Sequence, residues 1–154
     1  MKNVLTIAGS DSSGGAGIQA DIKTMGALGV HGMSVITAIT AQNSLGVQKS
    51  FPLTPEIIGE QLESLFSDIE IDGVKIGMVS DIEIIKIIRE KLLKYSAKNI
   101  VIDTVMVSKN GYHLLKPEAI EELKSLISIS TLVTPNIPEA EILSDMKIKT
   151  QEDV

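Results

Sequence analysis

The chain alternates short aliphatic runs with helix-period stripes along its length, and such an order dictates parallel strands joined by helical crossovers. Val4 to Ala8 reads as a buried strand ended by Gly9. Gly14 and Gly15 then open a helix from about Ala16 to Leu28, with Ile18, Ile22 and Met25 on one stripe and Gly29 beyond its end. Ser34 to Thr40 reads as a second strand. Thr54 and Pro55 start a helix through about Phe66, with Thr as N-cap and Pro in the first turn. Val74 to Met78 is a third strand, and Ser80-Asp81-Ile82-Glu83 has the form of a capping box ahead of the stripe Ile84, Ile85, Ile88 and Leu92. Ile100 to Val105, helical Pro117 to Ile127, strand Thr131 to Thr134 and a helix opening at Pro138 to Leu143 complete the series. The expected class is α/β, a mainly parallel sheet between helical layers, in a single domain over residues 1–154. Thr150 and Asp153 have the form of another helix start, so the sequence reads as an incomplete domain whose C-terminal part is missing.

The net charge of −6 argues against a broad nucleic-acid footprint. No apolar run approaches the roughly 20 residues of a membrane span. The apolar part of the N-terminus is too short for a signal peptide and meets Asp11 early. With no cysteine there is neither a disulfide framework nor a thiolate metal site, which fits a cytoplasmic location.

In open α/β sheets, ligands bind beyond the carboxyl ends of the strands. Residues with a capacity for chemistry gather at those ends here. Gly9-Ser10-Asp11-Ser12-Ser13-Gly14-Gly15-Ala16-Gly17 follows the first strand and offers backbone amides at a helix N-terminus. Gly9 and Gly14 have Walker A spacing, but Gly15-Ala16 stand where Lys and Ser or Thr belong. Gly15 to Ala20 loosely matches a dinucleotide fingerprint, yet no acid lies between Asp21 and Glu56 to hold a ribose. A plain strand-to-helix turn is the third reading. Gln42, after the second strand, offers one acceptor and two donors, the complement of an aminopyrimidine edge; capping a loop is its other use. Asp103 ends an aliphatic strand and suits either water-mediated Mg²⁺ binding or a turn cap. Asn136 and Glu139, one helical turn apart, suit either a hydrated Mg²⁺ or phosphate, or the N-cap and N3 positions of a helix. Met78 and Val105 suit the walls of a flat apolar pocket or simply the core. His31 and His113 have no triad or zinc spacing with other ligands, and Lys109 reads as solvated.

With these residues in view, the sequence resembles the hydroxymethylpyrimidine/phosphomethylpyrimidine kinases. The stretches that carry the resemblance are Leu5 to Asp21, Ser34 to Ala38 with Ala41-Gln42-Asn43, Lys75-Ile76-Gly77-Met78, Asp103-Thr104-Val105-Met106 and Thr134 to Ala140. The resemblance implies a three-layer α/β/α ribokinase-like fold and transfer of the ATP γ-phosphoryl group to the pyrimidine's hydroxymethyl oxygen, then to the resulting monophosphate, in thiamine synthesis. It implies that Gln42 bonds the aminopyrimidine, that Gly9, Ala16, Met78 and Val105 line its pocket with Asp11 at the rim, and that Asp103 with Asn136 and Glu139 organises Mg²⁺ and phosphates. No direct metal ligand is expected. ATP, Mg²⁺ and a small pyrimidine are the expected partners, without nucleic acid or membrane, and relatives of this kind are often homodimers. Family members continue into a Gly-Thr-Gly-Cys type loop that supplies the catalytic residue, so no catalytic residue is expected in this chain, and little turnover by the chain alone. Pyridoxal kinases share the glycine loop but lack the Ala41-Gln42-Asn43 run. A non-catalytic pyrimidine-binding module is the other alternative.

Overall fold

The structure is a computed structural model that describes residues 1–79, 81–106 and 115–153. In chain order its strands and α-helices are β1 (Asn3–Ala8), α1 (Gly17–Ala27), β2 (His31–Ile36), β3 (Ala38–Asn43), β4 (Gly46–Pro52), α2 (Pro55–Phe66), β5 (Gly73–Ile76), α3 (Ile82–Lys94), β6 (Ile100–Ile102), α4 (Ile120–Ile127), β7 (Leu132–Val133) and α5 (Ile137–Ser144). The main sheet has the order β2-β1-β5-β6-β7, with every pair parallel.

The two faces of the sheet bury different residues because alternate side chains point to opposite sides. Leu5, Ile7, Val74, Ile76, Ile100 and Ile102 share one core with Ile58 and Leu62 of α2, Ile85 and Ile88 of α3 and Leu126 of α4. The other face carries α1, whose Asp21 accepts the Thr6 hydroxyl at 2.6 Å and whose Ile22 and Met25 lie against Gly32. The chain steps from β1 to β2 in one direction and through β5, β6 and β7 in the other. Right-handed crossovers therefore put α1 opposite α2, α3 and α4. The direction reverses at β1, and the tips of β1 and β5 flank the crevice that such a reversal opens.

The expected strand from Ser34 to Thr40 is two strands. The Gln61 carboxamide of α2 bonds both backbone groups of Ile36, accepting from its N–H at 3.0 Å and donating to its carbonyl at 3.2 Å. Thr37 then bends the chain: its N–H donates to Ala8 O, its carbonyl accepts from Leu53 and its hydroxyl donates to Met78 O at 2.7 Å. Beyond Thr37 the chain leaves the main sheet, and residues 38–43 pair antiparallel with residues 46–52. Asn43 closes the hairpin by accepting from Leu45 N–H at 2.9 Å, as turn-forming Asn does. Gln42 thus stands on a hairpin and not at a sheet tip.

The helix boundaries follow the sequence closely. Thr54 caps α2 as expected. Asp81, one residue beyond the expected Ser80, caps α3 by accepting from Ile84 N–H at 3.2 Å, and Ser80 lies outside the described residues. Pro117–Ala119 forms a 3-10 turn before α4, and Gln151–Asp153 forms a second. The core side chains are well determined by this packing. Ile85→Ala removes a fully buried side chain and is expected to cost about 2–5 kcal/mol, read as a lower urea midpoint at unchanged slope.

Candidate functional site

The loop from Gly9 to Gly17 is organised by one acid. Asp11 is 2% exposed. One oxygen of its carboxylate accepts from the Ser13 N–H and hydroxyl, both at 2.8 Å, and the other from Gly15 N–H at 3.0 Å and Ala16 N–H at 2.8 Å. Burial pushes its pKa up, but these donors together outweigh burial and hold it below the usual carboxylate range. Its charge also lies at the positive N-terminus of α1. Gly17 has φ +57, and an added Cβ there would meet Gly9 O at 2.3 Å. Glycine at 17 lets Ile18 N–H reach Gly9 O at 3.0 Å and close the turn. The amides of Gly15 and Ala16, which the sequence offered to a ligand anion, are therefore filled by the loop's own carboxylate.

A cavity of about 670 Å³ opens beside this loop at the β1–β5 reversal, within the range of small-molecule sites. Gly9 and Ala16 form part of its wall, and Met78 and Val105, following β5 and β6, form another. A Cβ on Gly9 would sit 2.9 Å from the Met78 sulfur, so glycine keeps this wall flat. Gln42 reaches the same cavity from β3. The hairpin register shifts between Ala41 and Gln42, the kind of irregularity that re-aims a side chain. Among the described residues the Gln42 amide group donates to no protein acceptor, and its oxygen lies 3.3 Å from a Thr40 hydroxyl that donates at 2.7 Å to Ser10 O. The carboxamide thus keeps both donors and most of its acceptor capacity for a ligand.

The far end of the cavity is charged. Lys75 Nζ lies 3.0 Å from Asp21 and 3.9 Å from Asp103. Burial pushes the Asp103 carboxyl up, the Lys75 charge draws it down, and Glu139 and Asp21 add to the upward push. Lys75 and Asp21 escaped the sequence reading. The available signal was a lysine inside the aliphatic run Val74-Lys75-Ile76, which demands a partner when a strand is covered.

All six residues expected around a pyrimidine, together with Asp103, line this one cavity: Gly9, Asp11, Ala16, Gln42, Met78 and Val105. Asp11 does so with its carboxylate turned into the loop. Asn136 and Glu139 are absent from the lining and form the capping box of α5. Glu139 is 8% exposed, accepts from the Thr104 hydroxyl at 2.9 Å and Met106 N–H at 3.3 Å, and so braces the segment that carries Asp103 and Val105. Lys109 and His113 lie outside the described residues, and His31 is exposed at the start of β2.

Among the described residues no group of three or more metal-ligating side chains converges. Asp103, about half exposed at the cavity, fits one water-mediated contact to Mg²⁺. The glycine loop does not fit nucleotide phosphates, because Asp11 occupies its amides. A second hollow of about 490 Å³ between α2 and α3, lined by Glu56, Glu60 and Glu90 among others, shares no residue with the strand tips.

Residues 11–154 match the family described as phosphomethylpyrimidine kinase. The chain is 51% identical over 144 residues to the hydroxymethylpyrimidine/phosphomethylpyrimidine kinase of Escherichia coli, a match covering 93% of this chain and 54% of that protein. It is 48% identical over 150 residues to the Bacillus subtilis enzyme of the same name, covering 97% of this chain and 55% of that protein. The chain thus spans a little over half the length of these relatives. A crystal structure of phosphomethylpyrimidine kinase from Clostridium difficile superposes with TM-score 0.93 at 57% identity, covering 99% of this chain and 67% of that one. A Staphylococcus aureus pyridoxal kinase in complex with pyridoxal superposes with TM-score 0.87 at 40% identity, covering 99% of this chain and 56% of that one.

Asp11→Asn puts a donor where two amides need an acceptor, and is expected to cost about 1–3 kcal/mol of stability. The native group's depressed pKa adds stability that is complete above the unfolded value of about 3.9 and is lost as pH falls through the folded value. Melting temperatures of the two proteins are therefore expected to converge on acidification below about pH 4.

Proposed function

Because the chain belongs to the phosphomethylpyrimidine kinase family, we propose that its cavity is the pyrimidine-binding part of a phosphoryl-transfer site. The substrate is 4-amino-5-hydroxymethyl-2-methylpyrimidine and then its monophosphate, and the donor is ATP. The observation that carries the reading is the Gln42 carboxamide, whose amide meets no acceptor among the described residues, at a slot walled by Gly9 and Met78. An aminopyrimidine edge presents a ring-nitrogen acceptor beside an amine donor, which the carboxamide meets with one donor and its acceptor. The ring is flat and neutral, with its polar groups on its edge, so it needs no cation. That suits a loop whose amides are already neutralised by Asp11.

In the proposed reaction the hydroxymethyl oxygen attacks the γ-phosphorus, the bond to the departing ADP oxygen breaks, and the hydroxyl proton leaves. Such transfers depend on alignment and on spreading of phosphate charge more than on covalent chemistry. Gln42 and the walls around it hold the ring and thereby fix where its hydroxymethyl group points. Asp103 would hold Mg²⁺ through water at the charged end of the cavity, where the metal would neutralise phosphate charge. Glu139 and Asn136 support that end from behind, by bracing Thr104 and Met106. We assign no proton acceptor and no adenine pocket to the described residues. The cysteine-free composition supports a cytoplasmic setting.

Calorimetry with the hydroxymethylpyrimidine and with pyridoxal tests this reading. The pyrimidine is expected to bind the chain, and Gln42→Ala to weaken that binding by about tenfold or more. Tighter binding of pyridoxal, or indifference to Gln42→Ala, contradicts it. Pyrimidine binding without transfer from ATP, even in a full-length family protein carrying this segment, would favour a non-catalytic binding module.

A further inference from the structure

The glycine loop behaves as a third strand beside the hairpin. Ser10 N–H donates to Ala38 O at 2.8 Å. The Ser10 hydroxyl accepts from Thr40 N–H at 3.2 Å, while the Thr40 hydroxyl donates to Ser10 O at 2.7 Å. The Ser12 hydroxyl donates to Gln42 O at 2.7 Å and accepts from Gln42 N–H at 3.0 Å. Residues 38, 40 and 42 are thus tied in turn to the loop, and serine hydroxyls supply groups that a neighbouring strand's backbone would otherwise provide. The last tie differs from the others. Thr40 is 5% exposed and Ala38 1% exposed, whereas Ser12 is exposed, so the Ser12 clasp contributes little to the core. It also engages both backbone groups of the residue that follows the register shift at Ala41. A backbone held at both its N–H and its carbonyl has little freedom to rotate, and the direction of the attached Cα–Cβ bond is fixed with it.

We infer that Ser12 is a positioning residue: its hydroxyl clasps the Gln42 backbone and thereby aims the Gln42 carboxamide into the cavity. The inference rests on the proposed pyrimidine role of Gln42 and adds the group that sets its direction. Asp11 fixes the loop, the loop carries Ser12, and Ser12 fixes Gln42, so the anion inside the turn reaches the ligand's edge through two residues. Ser12→Thr keeps the hydroxyl at an exposed position, whereas Ser12→Ala removes it.

Two readouts on the 154-residue chain test the inference. In calorimetry with 4-amino-5-hydroxymethyl-2-methylpyrimidine, Ser12→Ala is expected to weaken binding about five- to tenfold, and Ser12→Thr to stay within about twofold of the native chain. In a Gln42→Ala background, Ser12→Ala is expected to change affinity no further, because its effect passes through Gln42. Equal losses in both backgrounds, or no loss in either, overturn the inference. The second readout needs no ligand. Hydrogen exchange at Gln42 N–H is expected to speed up about tenfold in Ser12→Ala and to recover in Ser12→Thr, while Thr40 N–H keeps its native rate. If the native chain binds no pyrimidine, the proposed function fails and exchange alone decides the clasp: an unchanged Gln42 rate, or Thr40 accelerating with it, overturns the positioning role.

Discussion

The buried carboxylate of Asp11 is the interaction on which the rest of the site depends. It gathers four donors from Ser13, Gly15 and Ala16 into a turn that only glycine at position 17 can complete. A glycine-rich loop at a helix N-terminus ordinarily invites a phosphate. Here the protein supplies the anion itself, so the loop's amides are satisfied before any ligand arrives and its wall offers no open anion site. A neutral heterocycle can lie against such a wall, whereas a phosphate would compete with a fixed negative charge for amides already engaged. The division of the cavity follows from this, with an uncharged wall of Gly9, Ala16 and Met78 near the loop, where the proposed function seats the ring, and charge near Asp103 and Lys75 at the other end.

The sheet puts these two ends together. Strand order reverses at β1, and the residues just past β1, β5 and β6 converge on the resulting crevice. The hairpin closes the remaining side, because Thr37 breaks the second strand away from the sheet and holds it with bonds to Ala8, Leu53 and Met78. Gln42 therefore approaches the slot from a different direction than Met78 and Val105, so that under the proposed function one side chain reads the ring's edge while others touch its faces. Lys75 shows the same economy at the charged end: paired with Asp21, it also draws down the Asp103 carboxyl that burial pushes up.

Much of this was legible in the sequence, for physical reasons. Aliphatic strands and capped amphipathic helices are local signals, so the five helices and the five strands of the main sheet could be read in order, whereas the polar hairpin strand Gly46–Pro52 could not. Residues at strand tips fall on one edge of a parallel sheet by geometry alone, which is why Gly9, Met78, Asp103 and Val105 line one cavity, while Gln42 reaches it from the hairpin. The misses were long-range. Nothing near Ser34 to Thr40 reveals that Gln61 and Thr37 end the strand after Ile36, since their partners lie 25 and 41 positions away. The partnership of Lys75 with Asp21 spans 54 positions. Asn136 and Glu139 had two readings, a cap or a metal site. The structure forms the cap, with Glu139 serving both the helix start and the buried Thr104 hydroxyl.

The account stands on a neutral ring, rather than a phosphate, meeting the glycine loop. Amide chemical shifts of the chain, followed by NMR during separate titrations with 4-amino-5-hydroxymethyl-2-methylpyrimidine and with inorganic phosphate, test that most directly. The expected result is that the pyrimidine moves the Gly9 amide and the Gln42 side-chain amide, while phosphate leaves Gly15 and Ala16 where they are. Phosphate shifting Gly15 and Ala16, with the pyrimidine leaving Gln42 untouched, would contradict it.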